Sequence, residues 1–361
     1  MPAPPPPDST LREGPPVRLL ALATALPPHV LTQEAVIAQA EAILAPRFAG
    51  FERLAPAFRN AGIRQRHSVV PMDWFTAPHG WVDRSAAYLA GATDLFCEAA
   101  GAALAQAGLT AAEVDVIVTI SSTGVATPTL EAQAARRMGF RADAIRVPVF
   151  GLGCAGGVSG LGLARDLAAA RPGRLVLMVA VETCTLMFRM DRLEKADIIA
   201  TALFGDGAAA ALLRAGAGDG PVVGPVAQHM WPDTLAVMGW TVEDTGLGVV
   251  FDRSIPVFAE AHLAEATDRL LQMLGREPAI ARFVCHPGGA KVVEAIENAL
   301  ALPAGSLDAE RAVLEDCGNM SAPTVLFVLE RLLAAGTGGR LVLMALGPGF
   351  TLSALPLEVG P

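Results

Sequence analysis

The chain has 361 residues, 52% of them hydrophobic and 17% charged, with a formal net charge of −9. That length and apolar content supply a sizeable core for one large domain or two coupled ones, and the acidic balance speaks against nucleic acid as the main partner. Five cysteines, at 97, 154, 184, 285 and 317, show no CxxC spacing, so their odd number argues against a closed disulfide set, no zinc site is spaced for, and a reducing cytoplasm is expected.

Residues 1–16, MPAPPPPDSTLREGPP, are proline-rich and polar and read as a flexible arm in partly polyproline form, without the order of a signal peptide. No uninterrupted apolar run approaches the ~18 residues of a transmembrane helix. The longest helical pattern, 85–107, carries Asp94 and Glu98 and is amphipathic. Strand and helix signals then alternate. VDVIVTISS (114–122) has the β-branched apolar pattern of a strand buried on both faces. TPTLEAQAARRMG (127–139) predicts a helix with Pro128 near its first turn and Gly139 at its stop. An apolar stretch, 147–152, runs into Cys154, and Val158, Leu161, Leu163 and Leu167 continue as a helix. GRLVLMVAVETC (173–184) is another buried strand, whereas FGDGAAAALLRAG (204–216) opens on a turn and continues as a strand or a buried helix, which periodicity does not decide. Beyond a Gly/Pro-rich join near 216–225, RFVCHPGG (282–289) is a short strand ending in a turn, 291–302 and 322–336 are helices, and 339–358 is strand, turn, strand.

The hexapeptide GRLVLM occurs at 173–178 and again at 339–344, 166 residues apart. The same shift brings Cys154 to within one residue of Asn319 and sets the end of VIVTIS on the end of RFVCHPGG. A duplicated α/β unit follows, two mostly parallel sheets with flanking helices whose equivalent turns meet near a shared centre.

Three residues on such turns carry chemistry. Cys154 sits among glycines where a strand bends into a helix, and the helix N-terminus there favours an anion, so it is a candidate nucleophile with a lowered pKa. A buried structural cysteine in a packing-driven glycine cluster would give the same pattern. His286 ends a strand before Pro287 and two glycines, or else is a hydrogen-bonded core histidine. Asn319 precedes a helix, where asparagine also serves as an ordinary N-cap. Cys, His and Asn without an acidic partner suit acyl transfer from a thioester followed by decarboxylation of a malonyl thioester. The imidazole and carboxamide would supply two neutral donors to the enolate, each typically worth ~3–4 kcal/mol in the transition state, and His286 could hold the thiolate as an ion pair.

GCAGG (153–157), HPGG (286–289), GNMSA (318–322), ALFGDGAAA (202–210) and LGPGF (346–350) together resemble the type III polyketide synthases, the chalcone and stilbene synthase superfamily. The resemblance runs from about Val17 to Leu357. It implies a thiolase-like, five-layered αβαβα fold of two duplicated halves, 17–220 with the nucleophile and 221–361 with His286 and Asn319. It makes Cys154 the acyl carrier, and gives His286 and Asn319 malonyl-CoA decarboxylation. Phe204 resembles the gatekeeper between CoA tunnel and cavity, with aliphatic Val249 in place of the second gatekeeper. Cys184, Met187, Ser122, Thr123, Ser321 and Gly349 fall at substrate-binding positions. Thr127 falls where the family reaches into a partner's cavity, so a homodimer is implied. Within GFERLAPAFRNAGIRQRH (50–67), Arg53 and Arg59 are the candidates for CoA phosphate. CoA thioesters are substrates and no cofactor is expected to stay bound.

The segments 183–207 and 238–258 look most like bacterial alkylresorcinol and alkylpyrone synthases, which extend long acyl-CoA starters with malonyl-CoA. A short-starter or malonyl-only synthase of phloroglucinol or tetrahydroxynaphthalene type is the alternative. The absence of a cysteine in LGPGF separates the chain from degradative thiolases, GNMS in place of GNTS from ketoacyl synthase III, and the lack of a convincing glutamate before the nucleophile from hydroxymethylglutaryl-CoA synthases. A papain-like hydrolase lacks its CGSCW-like stretch here, and an inert scaffold is at odds with the intact triad.

Overall fold

The computed structural model of the chain describes residues 14–46, 50–192, 194–275 and 278–360. Most of the proline-rich arm and the side chain of Arg53 lie outside the described residues. The first strand, β1 (Val17–Ala25), is followed by a two-stranded ribbon, β2 (His29–Thr32) with β3 (Gln65–Ser68), that brackets helices α1 (Gln33–Leu44) and α2 (Phe51–Arg59). The long helix α3 (Trp81–Ala107) leads into β4 (Val116–Ile120), α4 (Leu130–Met138), β5 (Ile145–Val149), α5 (Gly156–Ala169), β6 (Leu175–Thr183), α6 (Lys195–Leu203) and β7 (Asp206–Ala215). Short strands β8 (Val222–Val223) and β9 (Ala227–Met230) precede a second ribbon, β10 (Met238–Glu243) with β11 (Gly246–Phe251). Then come α7 (Ile255–Met273), β12 (Ile280–Cys285), α8 (Ala290–Ala299), α9 (Asp308–Cys317), α10 (Thr324–Ala334), β13 (Gly339–Gly347) and β14 (Thr351–Val359).

The main sheet runs β12-β13-β14-β8-β1-β7-β6-β4-β5, with β9 paired to β14. Both copies of the repeated hexapeptide reach a strand with matching neighbours. β6 lies parallel to β4 and antiparallel to β7, and β13 lies parallel to β12 and antiparallel to β14. Alternation along these strands builds the layers, because successive side chains point to opposite faces. Leu175, Leu177, Val179 and Val181 of β6 join the core under α3, while Val176, Met178 and Ala180 join a central core with α5 and α10. Leu341, Leu343 and Ala345 of β13 enter that same central core, while Val342, Met344 and Leu346 face α7 and α8. Helix, sheet, helix pair, sheet and helix pair thus stack as the five layers expected, but the strands pair in a mixed and not a mostly parallel pattern, and β8 joins the half-sheets by pairing with both β1 and β14.

Register settles the ambiguous segment 204–216. β7 is a strand, in nine consecutive pairings with β6 and bonded to β1 on its other side. Helix α4 starts at Leu130 with Thr129 as its N-cap, so Pro128 lies just before the first turn, after a cis Thr127–Pro128 bond. α3 begins four residues before the expected Ser85, and β5 stops at Val149, leaving 150–152 as the turn into the cysteine.

Candidate active site

Cys154 lies in a short turn, Gly153–Ala155, that opens into α5. Gly153 has a φ of 47°, and a Cβ there would stand 2.7 Å from Pro348 Cδ, so glycine is required on both counts. One side chain shapes the loop before it, since Ser122 Oγ accepts from Gly151 N at 3.1 Å and Gly153 N at 3.2 Å. Ser321 and Asn319 hydrogen-bond the sulfur, but burial outweighs them and pushes the thiol up to about 11. The lowered pKa expected from the helix N-terminus is therefore not what the folded chain shows. Desolvation of the thiolate is the largest cause, and the nearby Glu182 adds to it.

His286 continues the β12–β13 ladder through its backbone, donating to Met344 O at 2.8 Å. Buried Glu310 fixes that strand end, accepting from Cys285 N at 3.0 Å and from Arg282 at 2.8 Å. The imidazole itself is buried, neither ring nitrogen has a partner among the described residues, and burial lowers its pKa to about 4. Polar groups buried without partners are rare in folded proteins and mark a position built for something else. Asn319 is held at every polar atom. Its N–H donates to Leu203 O, its carbonyl accepts from Gly205 N, its Nδ2 donates to Gly288 O at 3.0 Å, and its Oδ1 accepts from Ser321 N at 2.8 Å. With one amide proton on Gly288, the second remains for the sulfur or a substrate oxygen. Ser321 adopts φ 59°, a strained state for a residue with a Cβ.

Cys154, His286 and Asn319 line one cavity of about 20 Å³, little more than one water-sized group. A second cavity of about 30 Å³ shares Cys154 and Asn319 with it and adds Phe204, Trp240, Val249, Ser321 and Pro348. Phe204 also lines a third, mostly apolar cavity of about 60 Å³ with Cys184, Met187, Phe75 and Phe188, which reaches Gln39 and Ile43 on α1. Phe204 thus stands between the cysteine chamber and this apolar cavity, and its ring meets Trp240 edge-on at 5.9 Å.

The remaining expected residues fall as follows. Cys184 and Met187 line the apolar cavity, and Val249 and Ser321 the cysteine chamber. Ser122 and Thr123 are buried: Ser122 N and Thr123 Oγ1 both donate to Glu182, and Thr123 Oγ1 accepts from Thr183 N. Gly349 accepts from Thr234 through its carbonyl, and its neighbour Pro348 lines the cysteine chamber. Thr127 is exposed on the loop after β4, and Arg59 is exposed at the end of α2. Trp240, Met238 and Phe251 escaped sequence reasoning, as did Arg66. Buried Arg66 donates to Thr201 O at 2.6 Å and Phe204 O at 3.3 Å, a cation at the C-terminus of α6. An arginine between glutamine and histidine in an otherwise polar ribbon offered no signal of this.

Residues 80–217 match the family described as chalcone and stilbene synthases, N-terminal domain, and residues 223–359 match the C-terminal domain of the same family. The chain is 41% identical to a 1,3,6,8-tetrahydroxynaphthalene synthase of Streptomyces peucetius subsp. caesius over 91% of this chain and 90% of that protein. It is 33% identical to a 3,5-dihydroxyphenylacetyl-CoA synthase of Amycolatopsis balhimycina over 72% of each. The crystal structure of the tetrahydroxynaphthalene synthase of Streptomyces coelicolor A3(2), a bacterial type III polyketide synthase, superposes with a TM-score of 0.90 at 28% identity, covering 95% of this chain and 99% of that one. With both domains matched in order and the Cys, His and Asn turns meeting at one chamber, the chain belongs to the chalcone and stilbene synthase family and is a type III polyketide synthase, an acyltransferase that condenses malonyl-CoA.

Proposed function

We propose that the enzyme primes Cys154 with an acyl-CoA, lodges the acyl chain in the apolar cavity beyond Phe204, and extends it with malonyl-CoA to an alkylresorcinol or alkylpyrone. The sulfur attacks the thioester carbonyl, its proton passes to the neutral imidazole of His286, and CoA leaves as the thiol by taking that proton back. Malonyl-CoA then loses CO2, and the enolate oxygen accepts from His286 and Asn319, both uncharged donors. The enolate carbon attacks the acyl group on Cys154, the C–S bond breaks, and the sulfur leaves as thiolate while a β-ketoacyl-CoA forms. The observation that carries this reading is the pairing of one small chamber, in which both His286 nitrogens lack a partner among the described residues, with an apolar cavity across Phe204.

A malonyl-primed synthase is the second reading, favoured by the 41% identity to a tetrahydroxynaphthalene synthase. Product masses from malonyl-CoA alone and with each of acetyl- to palmitoyl-CoA separate the two. Alkylated products dominant with long starters support the first, and a single product independent of the starter supports the second.

Arg59, exposed at the end of α2, together with Arg53 is proposed to meet the CoA phosphates. A homodimer through the β4–α4 loop and the sheet-edge strand β5 is supported by exposed Val125, Ile145 and Phe150, apolar side chains beside an open strand edge. Among the described residues no helix is long and apolar enough to cross a membrane.

A further inference from the structure

The β10–β11 ribbon stands apart from the main sheet and, among the described residues, pairs only within itself. A lone two-stranded ribbon is marginally stable in water, yet this one supplies Trp240 and Val249 to the wall of the cysteine chamber. Its inner face is held by packing, Trp240 against Phe204. Its outer face is held by charge.

Arg192, before α6, is the centre of that attachment. Its Nη1 pairs with Glu243 on the ribbon and lies 3.3 Å from Thr241 Oγ1, its Nη2 donates to Val249 O at 3.3 Å, and its Nε donates to Asp197 in the first turn of α6 at 3.1 Å. Val249 lines the cysteine chamber and Asp197 lines the apolar cavity. Phe204, which borders both, caps the other end of α6. One guanidinium therefore ties together the walls of the two cavities that meet at the gate. The side chain can lie across β11 because residue 248 is glycine: a Cβ there would collide with Arg192, Glu243 and Thr241. Arg189 adds a second clamp, bonding Glu243 at 2.8 Å and Asp191 at 3.0 Å.

We infer that Arg192 is a positioning residue that fixes the distance between the β10–β11 wall and Phe204, and thereby sets which acyl groups reach Cys154. It touches no reacting atom. A planar fork of donors shared among a carboxylate on β10, the backbone carbonyl of Val249 on β11 and a carboxylate on α6 holds three elements in one geometry, which a lysine's single ammonium does not reproduce. The inference rests on the family's condensation reaction and holds whichever starter the enzyme prefers.

The test compares the full-length protein with Arg192→Met, Arg192→Lys and Gly248→Ala. Each is assayed for kcat/KM with malonyl-CoA alone and with acetyl- to palmitoyl-CoA, for hydrogen exchange of residues 238–251, and for thermal unfolding. The wild-type profile tests the starter reading separately. Arg192→Met is expected to fold, to change the ratio of kcat/KM between its best and poorer starters by about tenfold, and to speed ribbon exchange. Arg192→Lys should fall between, and Gly248→Ala should reproduce the effect without touching the charge. A uniform loss across all starters with an unchanged ratio overturns the inference, as does unchanged ribbon exchange. Failure of all three variants to fold assigns Arg192 to stability alone and overturns it equally.

Discussion

Asn319 Nδ2 donates to the carbonyl of Gly288 at 3.0 Å, so the asparagine turn is bolted to the histidine turn 31 residues away in sequence. This bond leaves the second amide proton to the Cys154 sulfur or a substrate oxygen and fixes its direction. In Asn319→Asp the oxygen that accepts from Ser321 N can persist, but the donor is lost and a negative charge faces the enolate. The variant should fold and release CO2 from malonyl-CoA about 100- to 1,000-fold more slowly. Decarboxylation followed with radiolabelled malonyl-CoA checks this, and a loss below tenfold would show that the carboxamide is not an enolate donor.

The resting state of the pair follows from burial. The thiol of Cys154 is pushed up to about 11 and the imidazole of His286 down to about 4, so at neutral pH both are uncharged. Alkylation of Cys154 by iodoacetamide should therefore climb about tenfold per pH unit between about pH 6 and 9, as the thiolate fraction does. A flat, fast rate from pH 6 upward would instead reveal a preformed thiolate–imidazolium pair.

Glu182 gives stability its own pH dependence. Burial raises this carboxyl from 4.5 to about 7 even though Ser122 N and Thr123 Oγ1 donate to it. Unfolded, it ionises near 4.5. Across that window the folded chain binds the extra proton, so its contribution to stability falls as pH rises. Asp206, raised to about 7, acts in the same direction, and His286, lowered to about 4, acts in the opposite one. Glu182→Gln removes only the first contribution. Its melting temperature should fall less than the wild type's between about pH 5 and 7.5, and parallel melting curves would contradict the assigned burial.

Met187 and Cys184 line the apolar cavity from one short turn. A Met187→Trp side chain fills space proposed for the acyl chain. Turnover with palmitoyl-CoA should drop about tenfold or more relative to hexanoyl-CoA, the scale on which pocket methylenes are discriminated. An unchanged ratio would place the chain elsewhere.

Much of this was legible in sequence, for physical reasons. β4 and β6 are buried on both faces and read as largely apolar, β-branched runs. The repeated hexapeptide marks two strands with the same neighbours, because a duplicated unit keeps its pairing. Cys154, His286 and Asn319 were readable because each needs turn residues that leave a local trace. What stayed hidden is tertiary. β7 was ambiguous because its alanine run suits strand or helix, and only pairing to β6 and β1 decides. The raised thiol of Cys154 depends on what surrounds it, not on its helix. Ser122 and Thr123 face inward to Glu182, a partner 60 and 59 residues away, and Arg192 reaches Val249 across 57, distances over which a sequence shows no spacing.

The most direct test of the account is the mass of the Cys154 peptide after acid-quenching the enzyme with an acyl-CoA and malonyl-CoA. The account predicts acyl and extended polyketide adducts on Cys154 and none on Cys97, Cys184, Cys285 or Cys317. Condensation that proceeds with Cys154 unmodified, or an adduct on any other cysteine, would contradict it.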